Sequence, residues 1–116
     1  MLYRILDDHG GVIEAQLDPA LLAGLEPLPE NPWACFDNPP GTILLPTGLL
    51  VNTRARPRGI RNANRFMAQA AAGQIPRRAP VSVQARSDGL WLVLDGNSTT
   101  INALLSGWSR IPALAA

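Results

Sequence analysis

The chain has 116 residues, a hydrophobic fraction of 47% and a formal net charge of +1, which indicates one domain with a single core. A lone cysteine and a lone histidine exclude an internal disulfide framework and a cysteine-rich zinc site. No run of 18 apolar residues occurs, so a membrane-spanning segment is not expected. The first residues do not read as a signal peptide, and we expect a cytoplasmic protein.

The charges are divided unevenly along the chain. Residues 1–53 carry one arginine and seven carboxylates, a net charge of −6, whereas residues 54–116 carry nine arginines and two carboxylates, a net charge of +7. All ten basic residues are arginines. Because a guanidinium group can bind phosphate through two parallel hydrogen bonds, the second half is suited to a phosphate-bearing ligand.

The first 25 residues predict a β-hairpin and a short helix. Two apolar or alternating runs, residues 2–6 and 12–17, flank an Asp-His-Gly-Gly turn, which is typical of a hairpin. His9 lies at the tip of this turn and is interpreted as an exposed residue. The Asp-Pro pair that follows predicts the start of a helix over residues 19–25.

Residues 26–42 are rich in proline, which blocks regular strand pairing and helix formation. They are interpreted as a loop that wraps the domain, with Trp33 and Phe36 as apolar anchors. The alternative is a lid or a segment that binds a protein partner. Cys35 has few basic neighbours in sequence and is predicted to be a buried, inert thiol.

The second half is predicted to combine short strands with two helices. Apolar residues at positions 60, 63, 67 and 70 follow helical spacing, which predicts a helix over residues 60–72. A second helix is predicted over residues 98–106, and residues 52–59 are predicted to be a basic loop. The predicted strands and core segments are residues 43–45, 49–51, 80–83, 90–94 and 111–112.

The most informative stretch is residues 90–112, LWLVLDGNSTTINALLSGWSRIP. An apolar strand ends at an Asp-Gly turn, and polar residues typical of helix starts follow it. A helix N-terminus presents free N–H groups and a partial positive charge, so it binds anions. This pattern predicts a phosphate cradle. Its candidate residues are Gly96, Asn97, Ser98, Thr99 and Thr100.

The same stretch resembles the ParB/sulfiredoxin-like domain family, in a variant whose turn reads D-G-N-S-T. The resemblance extends over residues 62–114 and includes the P-V-S-V strand and the Ser-Asp-Gly turn upstream. It implies a single α+β domain over residues 1–116, with a small mixed β-sheet and flanking helices. Asn97 stands where sulfiredoxins have a reactive cysteine, so sulfiredoxin activity is not expected. Ser98 and Thr99 stand at the positions of the His-Arg pair that grips phosphate in ParB-type turns.

The resemblance implies a nucleotide- or phosphate-binding domain, with Mg²⁺-dependent phosphoryl transfer or phosphodiester hydrolysis as the expected chemistry. Asp95 is the candidate catalytic base and Mg²⁺ ligand. Beside the cradle, the candidate phosphate-binding residues are Arg54, Arg56, Arg58, Arg61, Arg77 and Arg78. The alternative is a module that binds DNA, RNA or a protein partner, the last through residues 26–42, and that keeps the fold without catalysis.

Overall fold

All seven strands of the chain belong to one mixed sheet, and two α-helices accompany it. The computed structural model describes residues 1–116, apart from the side chain of Leu22. The predicted α+β class is therefore confirmed. The strands are β1 (Leu2–Leu6), β2 (Val12–Gln16), β3 (Ile43–Pro46), β4 (Leu50–Asn52), β5 (Val81–Ala85), β6 (Trp91–Asp95) and β7 (Arg110–Ala115). The helices are α1 (Pro57–Ala71) and α2 (Asn97–Leu105).

The order of strands across the sheet is β2-β1-β4-β6-β5-β7-β3. The hairpins β1–β2 and β5–β6 are antiparallel, as the sequence predicts. The short central strand β4 is parallel to both of its neighbours, β1 and β6. Because β4 and β6 run in the same direction, their carboxyl ends lie at the same edge of the sheet. Each of these strands leads into a helix, so α1 and α2 start at that edge.

The core lies between the sheet and the two helices. Strand β6 illustrates the alternation, since Val93 is fully buried whereas the side chain of Leu94 is 46% exposed. Helix α1 contributes Met67 to the main cluster, and Ile60 joins a smaller cluster with Ile101 of α2. Burial of these apolar side chains on helical spacing is the reason that α1 forms where the sequence predicts it.

The proline-rich segment, residues 26–42, is packed against the core, as predicted. Phe36 is 1% exposed, and its ring meets the Trp108 ring edge to face at 6.1 Å between centroids. The Trp108 indole N–H donates to the carbonyl oxygen of Pro29 at 2.8 Å, and Trp33 packs against the same cluster. Cys35 is fully buried. Burial raises the pKa of its thiol, although the nearby charge of Arg78 acts in the opposite direction.

Some element bounds differ from those predicted. The first helix is a 3₁₀ turn over Pro19–Leu22, capped by the Asp18 side chain. Helix α1 begins three residues earlier than predicted because Pro57 occupies its first position, where its fixed φ fits and no N–H is needed. Asn52, predicted in a loop, is the last residue of β4 and is 1% exposed. Within the described part of the chain, neither helix has the length and apolarity that crossing a membrane requires.

Replacing Met67 by alanine tests the packing of α1 on the sheet. Met67 is fully buried in the main cluster, so we expect a loss of about 2–5 kcal/mol in the free energy of unfolding. Phe66→Ala is the matched control, because the neighbouring Phe66 is 40% exposed and should cost roughly 1 kcal/mol. Urea unfolding followed by circular dichroism measures both. Equal losses would contradict this orientation of α1.

Candidate functional site

The N-termini of α1 and α2 meet at the edge where β4 and β6 end. Gly59, in the first turn of α1, faces Ser98, in the first turn of α2. A Cβ atom added to Gly59 would lie 2.7 Å from the Ser98 Oγ atom. The two helix starts are therefore in direct contact, and only glycine permits this approach without a shift of Ser98.

Neither helix start is capped by a side chain. The N-cap residues are Arg56 for α1 and Gly96 for α2, and no side-chain hydrogen bond caps either helix. Gly96 has a φ of +102°, and a Cβ atom there would lie 2.7 Å from the Val81 Cγ1 atom, so both conformation and space require glycine. Pro57 has no N–H, but the other residues in the first turns of both helices have backbone N–H groups that no side chain caps, and these can donate to an anion. The predicted capping role of residues 97–100 is thus not what the structure shows.

Three adjoining cavities of about 250, 300 and 320 Å³ run across these helix starts. They share lining residues and form one continuous depression, which we call the two-helix groove. Its central part contains the Asp-Gly turn and the first turn of α2. Most of the predicted site residues line this groove: Asp95, Gly96, Asn97, Ser98, Thr99, Arg54, Arg56, Arg58 and Arg78.

The two-helix groove is strongly positive. Four arginines line it, against the single carboxylate of Asp95. Among the side chains that the structure describes, the only ion pair joins Arg86 to Asp88, away from the groove. The Arg78 guanidinium donates to the Thr99 hydroxyl at 3.4 Å, which holds it beside the start of α2. Another cavity, of about 310 Å³, lies near residues 25–28, and no arginine lines it. The positive charge therefore distinguishes the two-helix groove from this cavity of similar size.

A buried asparagine supports the groove from below. The Asn52 amide nitrogen lies 3.0 Å from the Asn97 carbonyl oxygen, 3.0 Å from the Asn97 side-chain oxygen and 2.8 Å from the Thr100 hydroxyl. Asn97 in turn exchanges hydrogen bonds with Thr53: its oxygen accepts from the Thr53 N–H and its amide donates to the Thr53 hydroxyl, both at 2.9 Å. These bonds fix the end of β4 to the first turn of α2.

This network corrects part of the predicted cradle. Thr100 is fully buried, its N–H donates to the Gly96 carbonyl and its hydroxyl donates to the Asn97 carbonyl. Its hydroxyl also accepts from the Asn52 amide. Thr100, which the sequence places in the cradle, therefore does not line the groove, and its polar groups are occupied within the protein. The side chain of Asn97 is similarly occupied, which leaves its backbone N–H for the groove.

Two predicted arginines lie elsewhere. Among the described residues that line the three cavities, neither Arg61 nor Arg77 appears. Arg61 is on the exposed side of α1, and Arg77 is exposed in the loop before β5. The groove instead includes Asn62 and Phe66, which sequence reasoning did not select. Asn62 and Phe66 are one helical turn apart, next to one edge of the buried side of α1, and this spacing of four residues was the available signal.

Asp95 fits only part of a Mg²⁺ site. It ends β6 and lines two of the three cavities. Among the described residues no group of three or more histidine, cysteine, aspartate or glutamate side chains comes together. Mg²⁺ commonly binds through one or two carboxylates, with phosphate oxygens and water completing its octahedral shell. One carboxylate is thus compatible with Mg²⁺ carried in by a phosphate ligand.

Comparisons with known proteins bear on the fold. No family model and no curated protein matches the sequence. The structure is similar to that of SbnI with C-terminal truncation from Staphylococcus aureus, with a TM-score of 0.54 and 18% identity. The similarity covers 66% of this chain and 30% of the SbnI chain. At this identity it establishes a shared fold and carries no activity from one protein to the other.

Replacing Asn52 by alanine tests the polar support of the groove. It removes the buried donor shared by Asn97 and Thr100, and with it the hydrogen bonds that join β4 to α2, which should cost about 1–3 kcal/mol in the free energy of unfolding. Asn38 is exposed, so Asn38→Ala should stay within about 0.5 kcal/mol of the parent protein. Chemical denaturation measures both. A loss no larger for Asn52→Ala than for the control would argue against the network.

Proposed function

We propose that the chain is a ParB/sulfiredoxin-like domain that binds a nucleotide or another phosphate-bearing ligand in the two-helix groove. The observation that carries the proposal is the meeting of two uncapped helix N-termini beneath four arginines. Backbone amides and guanidinium groups are the donors that phosphate oxygens accept most strongly. A ligand with several phosphate groups suits the length of the groove, because arginines lie at both of its ends.

The position of Arg78 supports the family assignment within this proposal. The resemblance places Ser98 and Thr99 where a His-Arg pair would grip phosphate. Arg78 reaches the Thr99 hydroxyl from the loop before β5. We infer that this loop supplies the guanidinium that α2 itself lacks, and that Arg78 binds phosphate at the first turn of α2.

Asp95 would provide the chemistry if the domain is an enzyme. In this proposal its carboxylate would accept a proton from the attacking hydroxyl or water, or would hold Mg²⁺ together with the phosphates of the ligand. Bound Mg²⁺ supplies charge neutralisation at the transferring phosphoryl group. The arginines orient the phosphates and stabilise the charge that develops on them.

A protein-binding role for residues 26–42 has less support. Phe36 is buried and Trp33 packs against the core, so the aromatic residues of this segment anchor it and are not displayed to a partner. The alternative of a binding module without catalysis is therefore supported mainly by the positive charge of residues 54–116. Nucleotide binding without turnover is the result that would favour it.

Replacing Arg78 by glutamine tests ligand binding. A charge-assisted hydrogen bond contributes about 1.5–3 kcal/mol, so we expect affinity for the preferred nucleotide to fall by roughly 10- to 150-fold. Calorimetry with ATP, ADP, CTP, GTP and pyrophosphate, each with and without Mg²⁺, measures this. Arg77→Gln is the matched control, because Arg77 is adjacent to Arg78 in sequence but lies outside the groove. Equal losses in both variants, or no binding by the parent protein, would refute the proposal.

Replacing Asp95 by asparagine separates catalysis from binding. We expect Asp95→Asn to bind the nucleotide in the absence of Mg²⁺ and to release phosphate about 10²–10⁴ times more slowly than the parent protein in its presence. Asp88→Asn removes a carboxylate that lies away from the groove and should leave the rate unchanged. Phosphate release is followed by a coupled colorimetric assay. Binding by the parent protein without turnover would favour the non-enzymatic alternative.

A further inference from the structure

The second turn of α1 lines a part of the two-helix groove that lies apart from the helix starts. Asn62, Ala63 and Phe66 line the central cavity together with Gly59, and the four residues follow the spacing of one side of a helix. At 1.5 Å per residue, Phe66 lies roughly 10 Å along the axis of α1 from Gly59. We call the part of the groove at Asn62 and Phe66 its α1 end.

The α1 end differs chemically from the phosphate-binding part of the groove. Backbone N–H groups beyond the first turn of a helix are bonded within the helix, so the second turn of α1 offers only side chains to a ligand. Those that line the cavity are an amide, a methyl group and a phenyl ring, and none of them is charged. The α1 end therefore suits a flat, polar ring better than it suits a phosphate group.

The Phe66 ring is available for stacking. Its side chain is 40% exposed, although burial of a phenyl ring is favourable. The Arg65 guanidinium lies 5.0 Å from the ring centroid, but Arg65 is not among the described residues that line the central cavity. A base that stacked on the groove side of the ring would bury apolar surface of both partners.

The Asn62 amide is available for hydrogen bonding. The other asparagine of α1, Asn64, is bonded to Glu26 and to Asn102, whereas the Asn62 side chain makes no hydrogen bond with the described residues. An amide offers a donor and an acceptor, and asparagine pairs in this way with the adjacent amino group and ring nitrogen of adenine. Guanine presents two acceptors at the same edge, which one amide does not match.

We propose that Phe66 and Asn62 bind the base of the nucleotide, with the base stacked on Phe66 and with Asn62 selecting adenine. This inference rests on the proposed function, since the phosphates of the same ligand would lie at the first turn of α2. The central cavity of about 250 Å³ is smaller than the roughly 300 Å³ of the smallest ligand sites. The nucleotide therefore extends from the α1 end into the neighbouring cavities, with its phosphates toward Gly96 and Arg78.

Calorimetry of the full chain with ATP and with pyrophosphate tests the stacking. Phe66→Leu keeps an apolar side chain but removes the ring, so ATP affinity should fall by roughly 5- to 150-fold, the effect of losing one stacked base. Pyrophosphate has no base, and its affinity should change by less than about threefold. Phe66→Trp should retain ATP affinity, because an indole ring also stacks on a base.

The ratio of ATP to GTP affinity tests the choice of base. A well-placed pair of hydrogen bonds discriminates between bases by roughly 5- to 150-fold, so the parent protein should favour ATP by that ratio and Asn62→Ala should abolish the preference. Asn38 is exposed and does not line the groove. Asn38→Ala is therefore the control, and it should keep the ratio of the parent protein.

The outcomes separate this proposal from the preceding one. Equal losses of ATP and pyrophosphate affinity in Phe66→Leu, or a base preference that Asn62→Ala leaves unchanged, would overturn the base site and leave the phosphate site standing. Arg78→Gln should weaken ATP and pyrophosphate alike, because it acts on the phosphates. Failure of the parent protein to bind either ligand would refute both proposals.

Discussion

The geometry of the groove depends on one buried amide, that of Asn52. Its nitrogen is within 3.0 Å of acceptors on Asn97 and Thr100 in a region closed to water, where a missing partner would cost most. The amide can satisfy these acceptors only if α2 starts at one position relative to the end of β4. Hydrogen bonding thus sets the place of the helix start more tightly than apolar packing could, since packing tolerates small shifts.

A second pair of asparagines extends this constraint to α1. The Asn102 amide donates to the carbonyl oxygens of Ile60 and Ser98, each at 3.0 Å, and its oxygen accepts from Asn64. Every buried side-chain nitrogen and oxygen among the described residues has a partner. The contact between the helices therefore includes buried polar bonds beside the packing of Ile60 on Ile101, and it brings two positive helix ends together. Those ends repel each other, so an anion bound between them would stabilise the folded state by mass action.

Local sequence patterns predicted most helices and strands. The features that they did not predict depend on tertiary contacts. Helical spacing and turn residues identify α1, α2 and both hairpins, because each signal lies within a few residues. Asn52 was wrongly assigned to a loop, and the burial of Thr100 was not foreseen, because polar residues near turns favour loops and helix caps and only the neighbouring strand or helix reveals a buried partner. The separation of Arg58 from Arg61 likewise depends on how α1 is rotated toward the groove, which no interval in the sequence specifies.

The proline-rich segment acquires a physical role from the position of Arg78. The Arg78 N–H donates to the Cys35 carbonyl at 2.8 Å, and the Arg78 carbonyl accepts from the Asp37 N–H at 2.9 Å. The backbone of the groove arginine is thus fastened to a segment whose Phe36 is buried in the core. An arginine on a free loop would lose conformational entropy when it bound phosphate. Anchoring its backbone lowers that loss. Residues of the acidic first half of the chain thus hold Arg78 in position to bind phosphate in the groove.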